Sequence, residues 1–240
     1  MDSINEKKQK QRIEIIDALR GIAVLLMVVH HFLYDMVEFI DAPEWLFTNP
    51  VFDALHYLFA GVFTLLCGVS SNFSRSNLKR GLIALGFAML ITLVTYIMGM
   101  PIFFGVLHML AFCMLFYGVT HKFWEKIPKA VMPVFCIIAA VFSVYCVNTV
   151  HTDSHYLWMF GWTYKGFNSY DYFPLFPWMF IFLFGTWVGY FIKENKFPGW
   201  FYRAKIPVFP KIGKYSLWIY IAHQPVLYGL TMMIEKIIAQ

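Results

Sequence analysis

The stretch RIEIIDALRGIAVLLMVVHHFLYD, Arg12 to Asp35, decides the fold. It is long and apolar enough to cross a bilayer, yet it carries Asp17, Arg20, His30, His31 and Asp35. At about 100° per residue, the step from Arg20 to His31 returns to within about 20° of the same helix face. At ~1.5 Å per residue those two side chains lie roughly 16 Å apart along the axis. Asp17, one turn before Arg20, and Asp35, one turn after His31, extend the stripe. An ionisable group at membrane depth costs about 2.5–3.5 kcal/mol even on the lenient insertion scale, so such a stripe faces a protein interior or a watery cavity.

Composition agrees with a membrane protein. Of 240 residues, 60% are hydrophobic and only 14% are charged, against about a quarter charged in soluble domains. The basic start, MDSINEKKQKQ, precedes an apolar run too long for a signal peptide and without a small-x-small cleavage site, so the run is read as a retained first helix. Cys67, Cys113, Cys136 and Cys146 all sit in apolar segments without metal-type spacing and read as small buried hydrophobes.

Seven segments reach spanning length, at about 14–36, 51–69, 81–98, 102–119, 131–149, 173–192 and 215–234. The fold class is therefore all-α, a polytopic membrane bundle of about seven transmembrane helices, with residues 1–240 forming one integral membrane domain. Alternate loops hold 16 of the 19 basic residues, among them Lys7, Lys8, Lys10, Arg75, Lys79, Arg80 and the run from Lys193 to Lys214. That bias places the N-terminus in the cytoplasm.

The remaining histidines arrive on other helices. His56 begins the second segment with Asp53 one turn above it, His108 enters the fourth, and His223 sits mid-way in the last, two residues before Pro225. With His31 they form a set of imidazoles in the outer half or centre of the bundle. His30 points about 100° away from His31 and reads as structural or interfacial. The loop from His151 to Asp171 interleaves Trp158, Trp162 and several tyrosines with polar residues. Such rings suit a sugar, or form an interfacial aromatic belt.

Four motifs in order carry a resemblance over nearly the whole chain: RIEIIDALRGIA followed by His31, GVLHMLAF (Gly105–Phe112), YFPLFPWMFIFLFGTWVGY (Tyr172–Tyr190) and IGKYSLWIYIAHQPVL (Ile212–Leu227). Together they resemble the heparan-α-glucosaminide N-acetyltransferase catalytic-domain family of bacterial membrane proteins. The spacing of Arg20 and His31 is also similar to that of bacterial membrane acyltransferases that O-acetylate surface sugars. The resemblance implies transfer of an acetyl or short acyl group from cytosolic acetyl-CoA to an amine or hydroxyl of an extracytoplasmic acceptor, an amino sugar or glycan. The lipid bilayer is then a partner, nucleic acid and metal are not, and a homo-oligomer is compatible. The location implied is a bacterial cytoplasmic (inner) membrane.

On that reading His31 is the general base, with Asp35 as its orienting partner and His108 as a second base or oxyanion donor. Arg20, with Asp17 and His223, is assigned to the coenzyme, since a guanidinium binds phosphate as a planar bidentate donor. His56, Trp158, Trp162 and Asp171 are assigned to the acceptor. The first outer loop, Glu38 to Pro50, contains no histidine, which favours direct transfer over an acyl-enzyme route. Two other classes use intramembrane His and Asp: a haem-binding electron carrier and a proton-coupled transporter. The first wants paired histidines several turns apart on one helix, and the second an inverted repeat. Neither pattern is visible.

Overall fold

A computed structural model describes residues 12–238. The basic residues Lys7, Lys8 and Lys10, read above as part of the cytoplasmic loop charge, lie outside the described residues. Among the described residues, seven helices are long and apolar enough to cross a membrane: α1 (Glu14–Ile40), α2 (Pro50–Ser71), α3 (Asn77–Ile97), α4 (Val106–Lys126), α5 (Val131–Thr149), α6 (Leu175–Lys193) and α9 (Ser216–Ile238). Two short helices, α7 (Gly199–Arg203) and α8 (Phe209–Lys214), fold within the basic run between α6 and α9. Among the described residues there is no strand, only a single bridge joining Phe104 to Tyr172.

The expected segments all become helices, but their ends move. Hydropathy marks the part of a helix that lipid covers, whereas capping fixes where the helix begins. The Asn49 side chain accepts from the Val51 and Phe52 amides at 3.0 and 3.1 Å, with Pro50 following it, and so starts α2. Ser76 accepts from the Lys79 amide at 3.1 Å and starts α3 four residues before the apolar run. At the other end, α4 continues through the polar Lys122, Glu125 and Lys126 to a point well beyond the expected boundary.

Glycines decide which helices touch. A Cβ on Gly68 would lie 2.1 Å from the Phe182 carbonyl oxygen, and one on Gly185 would lie 2.1 Å from that of Leu65, so α2 and α6 meet backbone to backbone. The same device holds α8 on α1. A Cβ on Gly213 would fall 1.8 Å from the Asp17 carbonyl, and one on Gly21 would fall 2.3 Å from that of Phe209. The basic run is thereby folded against the first turns of α1, beside Arg20. Phe104, Met109 and Phe182 are fully buried where α4 meets α6. Leu82, Leu90 and Leu93 on α3, with Ile137, Ile138 and Val141 on α5, stay exposed, as side chains facing lipid do.

Helix α9 packs mainly on α1, and this contact is polar. The His31 and His223 rings are 4.8 Å apart. One turn on, Gln224 donates to both oxygens of Asp35 at 2.8 and 3.1 Å, and another turn on Phe39 meets Tyr228 at 5.3 Å.

Candidate functional site

Two cavities lie along α1, and both use its polar stripe. The larger, about 510 Å³, opens near the basic loops and is lined by Arg20, Ser70, Arg80 and Lys214, with Cys67 in its wall. The smaller, about 50 Å³, is lined by His30, His31, His56 and Asp171. Phe63, Val106 and Tyr220 line both. They form the partition between a cationic chamber and an imidazole chamber.

In the cationic chamber, Arg20 is held from two sides. Its Nη1 donates to Asp17 Oδ1 at 2.9 Å, and its Nη2 donates to Ser70 Oγ at 2.6 Å. The Ser70 hydroxyl gives its own proton to the Leu66 carbonyl at 2.7 Å, so its oxygen is free to accept. Arg80 reaches the Ser70 carbonyl at 3.4 Å. Asp17 is 5% exposed and also accepts from Arg12. It serves Arg20 as a counter-charge and does not line the chamber. The guanidinium fork keeps further N–H donors for an anion. Arg80 and Lys214, which loop charge alone treats as topology signals, join Arg20 here because α3 and α8 begin and end at the same level.

In the imidazole chamber, main-chain carbonyls set the tautomers. His31 Nδ1 lies 2.9 Å from the Met27 carbonyl, which can only accept, so Nδ1 carries the proton. The neutral ring then keeps its lone pair on Nε2, the state a general base needs. His223 is held the same way, with Nδ1 2.6 Å from the Tyr220 carbonyl, and its Nε2 is buried without a partner among the described residues. His30 turns toward α2, and His56 Nδ1 lies 3.0 Å from its Nε2 and 3.2 Å from its Nδ1. Of the two readings open for His30, structural or interfacial, the contact with His56 agrees with the structural one, because the offset of about 100° aims the ring at α2.

Asp171 enters from the loop before α6. The Phe173 amide donates to the Phe104 carbonyl at 2.8 Å, the Tyr170 amide to the Pro101 carbonyl at 3.1 Å, and the Ser169 hydroxyl ties back to the Asp171 carbonyl at 2.7 Å. These bonds set the carboxylate at the start of α4, where it accepts weakly from the Val106 amide at 3.4 Å. Gly105 makes the approach possible, because a Cβ there would lie 2.2 Å from Asp171 Oδ2. Burial pushes this carboxyl above its ordinary range, while His31 and the Val106 amide pull it partly back.

Several expected site residues are elsewhere. His108 is 4% exposed and faces α3, where Thr92 donates to the Ile102 carbonyl at 2.6 Å and accepts from His108 Nε2 at 3.1 Å. It lines neither cavity, because α4 turns that face toward α3. Asp35 is fully buried and bonded to Gln224, with no hydrogen bond to His31. His223 lies beside His31 and not in the cationic chamber. Trp158 packs on Phe104 and Phe167, each at 5.7 Å, and Trp162 donates to the Cys146 carbonyl at 3.3 Å. Both tryptophans brace the loop away from the two cavities. Cys67 departs from the buried-hydrophobe reading by lining the larger cavity. Among the described residues, no three His, Cys, Asp or Glu side chains are arranged to share a metal ion.

The family model described as "Heparan-alpha-glucosaminide N-acetyltransferase, catalytic" matches residues 12–225, from Arg12 at the start of α1 to Pro225 in α9. The chain belongs to the heparan-alpha-glucosaminide N-acetyltransferase catalytic family. The seven helices of spanning length make the chain an integral membrane protein, and the family it belongs to is one of transferases. No curated protein and no solved structure matches it. The matched span contains every residue of both cavities.

Proposed function

We propose that this protein moves an acetyl or similar short acyl group from acetyl-CoA, bound on the cytoplasmic side, to an amine or hydroxyl of an extracytoplasmic acceptor such as an amino sugar or glycan. The observation that carries the reading is the pair of cavities sharing Phe63, Val106 and Tyr220, one lined by cations and the other by imidazoles. The loop charge supports an orientation with the basic end in the cytoplasm of a bacterial inner membrane.

Acetyl-CoA is an anionic phosphate cluster joined by a long flexible arm to a thioester. Arg20, Arg80 and Lys214 supply cations for the phosphates, with Ser70 between the two arginines. The arm then runs outward along α1, over the roughly 16 Å that separate Arg20 from His31 at ~1.5 Å per residue. His31 Nε2 takes the proton from the attacking amine or hydroxyl as that atom bonds to the thioester carbonyl carbon. The carbon–sulfur bond breaks as the tetrahedral intermediate collapses, and His31 returns the proton to the departing thiolate, leaving coenzyme A as the thiol. Asp171, which lines the chamber, accepts a hydrogen bond from the acceptor on this reading.

The test uses purified protein in proteoliposomes with acetyl-CoA inside and glucosamine outside, scored by release of free coenzyme A. Wild type should release it only when the acceptor is present, and folded His31→Ala should not. Near-normal turnover by that variant would remove His31 from the role of base.

A further inference from the structure

The reaction proposed above leaves one proton unaccounted for when the acceptor is an amine. A primary amine outside the cell is largely ammonium, and acylation consumes RNH₃⁺ and the thioester and yields the amide, coenzyme A thiol and one free proton. His31 disposes of a single proton, the one returned to the thiolate. The other must leave before the nitrogen can attack, because an ammonium has no lone pair.

A second pair of imidazoles stands beside the first. His30 and His31 are sequence neighbours on α1 with ring centres 5.8 Å apart. Both line the small cavity, which at about 50 Å³ has room for roughly three waters at about 10–15 Å³ each. His56 Nδ1 on α2 lies 3.0 Å from His30 Nε2 and 3.2 Å from His30 Nδ1, so either His30 nitrogen can be the bonded one, and the His56 ring is steadied against Phe173 at 5.5 Å and 22°. One turn before His56, Asp53 is exposed at the end of the bundle away from the basic loops. The other ionisable groups facing the cavity are His31 on α1, Asp171 from the loop before α6 and Tyr220 on α9. Neutral imidazole accepts a proton at one nitrogen while releasing another at the second, so two bonded rings pass one proton by exchanging tautomers and are reset by ring rotation or exchange with water before the next.

We infer that the hydrogen-bonded His30–His56 pair is the proton outlet of the imidazole chamber, leading from the reaction cavity to Asp53 and outer solvent, and that it serves an acceptor that arrives as an ammonium ion. This rests on the acyl-transfer reading. The ammonium gives its first proton through cavity water to His30, His56 releases one at its far nitrogen, and the neutral amine then attacks with His31 taking the second.

The experiment compares wild type with His56→Ala in proteoliposomes, using external glucosamine across a pH series that spans its own ammonium pKa. Below that pKa the variant should lose on the order of 10²-fold in kcat, with the KM for acetyl-CoA unchanged. Above it, where the amine arrives neutral, the loss should vanish. External 4-methylimidazole should restore the low-pH rate. A loss that is the same at every pH and is not rescued would mean that His56 only braces α1 against α2, and no loss at all would equally overturn the outlet. If His56→Ala does not fold, His30→Gln and His56→Gln keep hydrogen-bonding capacity without carrying protons and are read by the same criteria. Wild type that releases no coenzyme A with glucosamine at any pH would instead overturn the acyl-transfer reading.

Discussion

The two chambers along α1 are built by opposite rules. The cationic chamber gathers Arg20, Arg80 and Lys214, a set suited to the coenzyme phosphates proposed above. The imidazole chamber gathers His30, His31 and His56, whose two ring nitrogens can each give or take a proton. On the proposed reading the cations hold the donor and the imidazoles move protons. One helix supplies both by spacing Arg20 and His31 three turns apart, while different neighbours complete each chamber: α3 and α8 for the cations, α2 and α9 for the imidazoles.

Separating binding from turnover distinguishes the two chambers most sharply. His31→Ala should lower kcat by about 10²–10⁴-fold while coenzyme A affinity, measured by calorimetry in detergent, stays within about twofold. Loss of affinity in step with rate would mean that the chambers are not functionally distinct. Gly213→Ala comes next. The added methyl meets the Asp17 carbonyl, so α8 must move off α1, at a cost of about 1–3 kcal/mol read as a lower thermal midpoint, with weaker coenzyme binding. A midpoint equal to wild type would show that the close approach does not matter.

Arg80→Ala is a cleaner probe of the phosphates than Arg20→Ala, because removing Arg20 also strips the buried Asp17 of a counter-ion. It should weaken coenzyme A about tenfold, or about 1.4 kcal/mol, as for one charged hydrogen bond. Dephospho-coenzyme A and pantetheine should lose progressively less. Equal loss for pantetheine would point to a structural effect of Arg80.

The smallest effect belongs to Asp171→Asn. Because burial raises this carboxyl's pKa, ionised Asp171 lowers stability once pH exceeds the folded-state value, and the penalty fades as pH falls toward the ordinary 3.8. Asparagine keeps an oxygen for the Val106 amide without that penalty. The variant should therefore melt slightly higher than wild type at neutral pH, with the gap closing in acid, while acceptor turnover falls. A gap that widens in acid would reverse the sign and contradict burial as the cause.

Reading the chain and folding it give different parts of this picture. That Arg20 and His31 share a face follows from helical periodicity, and hydropathy marks all seven spans, because both depend on residues close in sequence. The docking of α8 was legible only as a basic loop, since its cause is the meeting of Gly21 and Gly213, two small residues 192 positions apart that no local window compares. His30 and His108 show the same limit from opposite directions. Depth along the membrane grouped His108 with His31 and left His30 aside, but rotation about the helix axis decides contacts, and only packing fixes rotation.

One-dimensional pattern accounts for the membrane class, the expectation of about seven helices and the polar stripe on α1. Which side chains complete that stripe was decided by tertiary structure alone: Arg80 and Lys214 beside Arg20, His56 against His30, His223 against His31, and Phe63, Val106 and Tyr220 between the chambers. The physical reason is that these contacts depend on how closely backbones approach and how each helix is turned, and glycine pairs on separate helices set both.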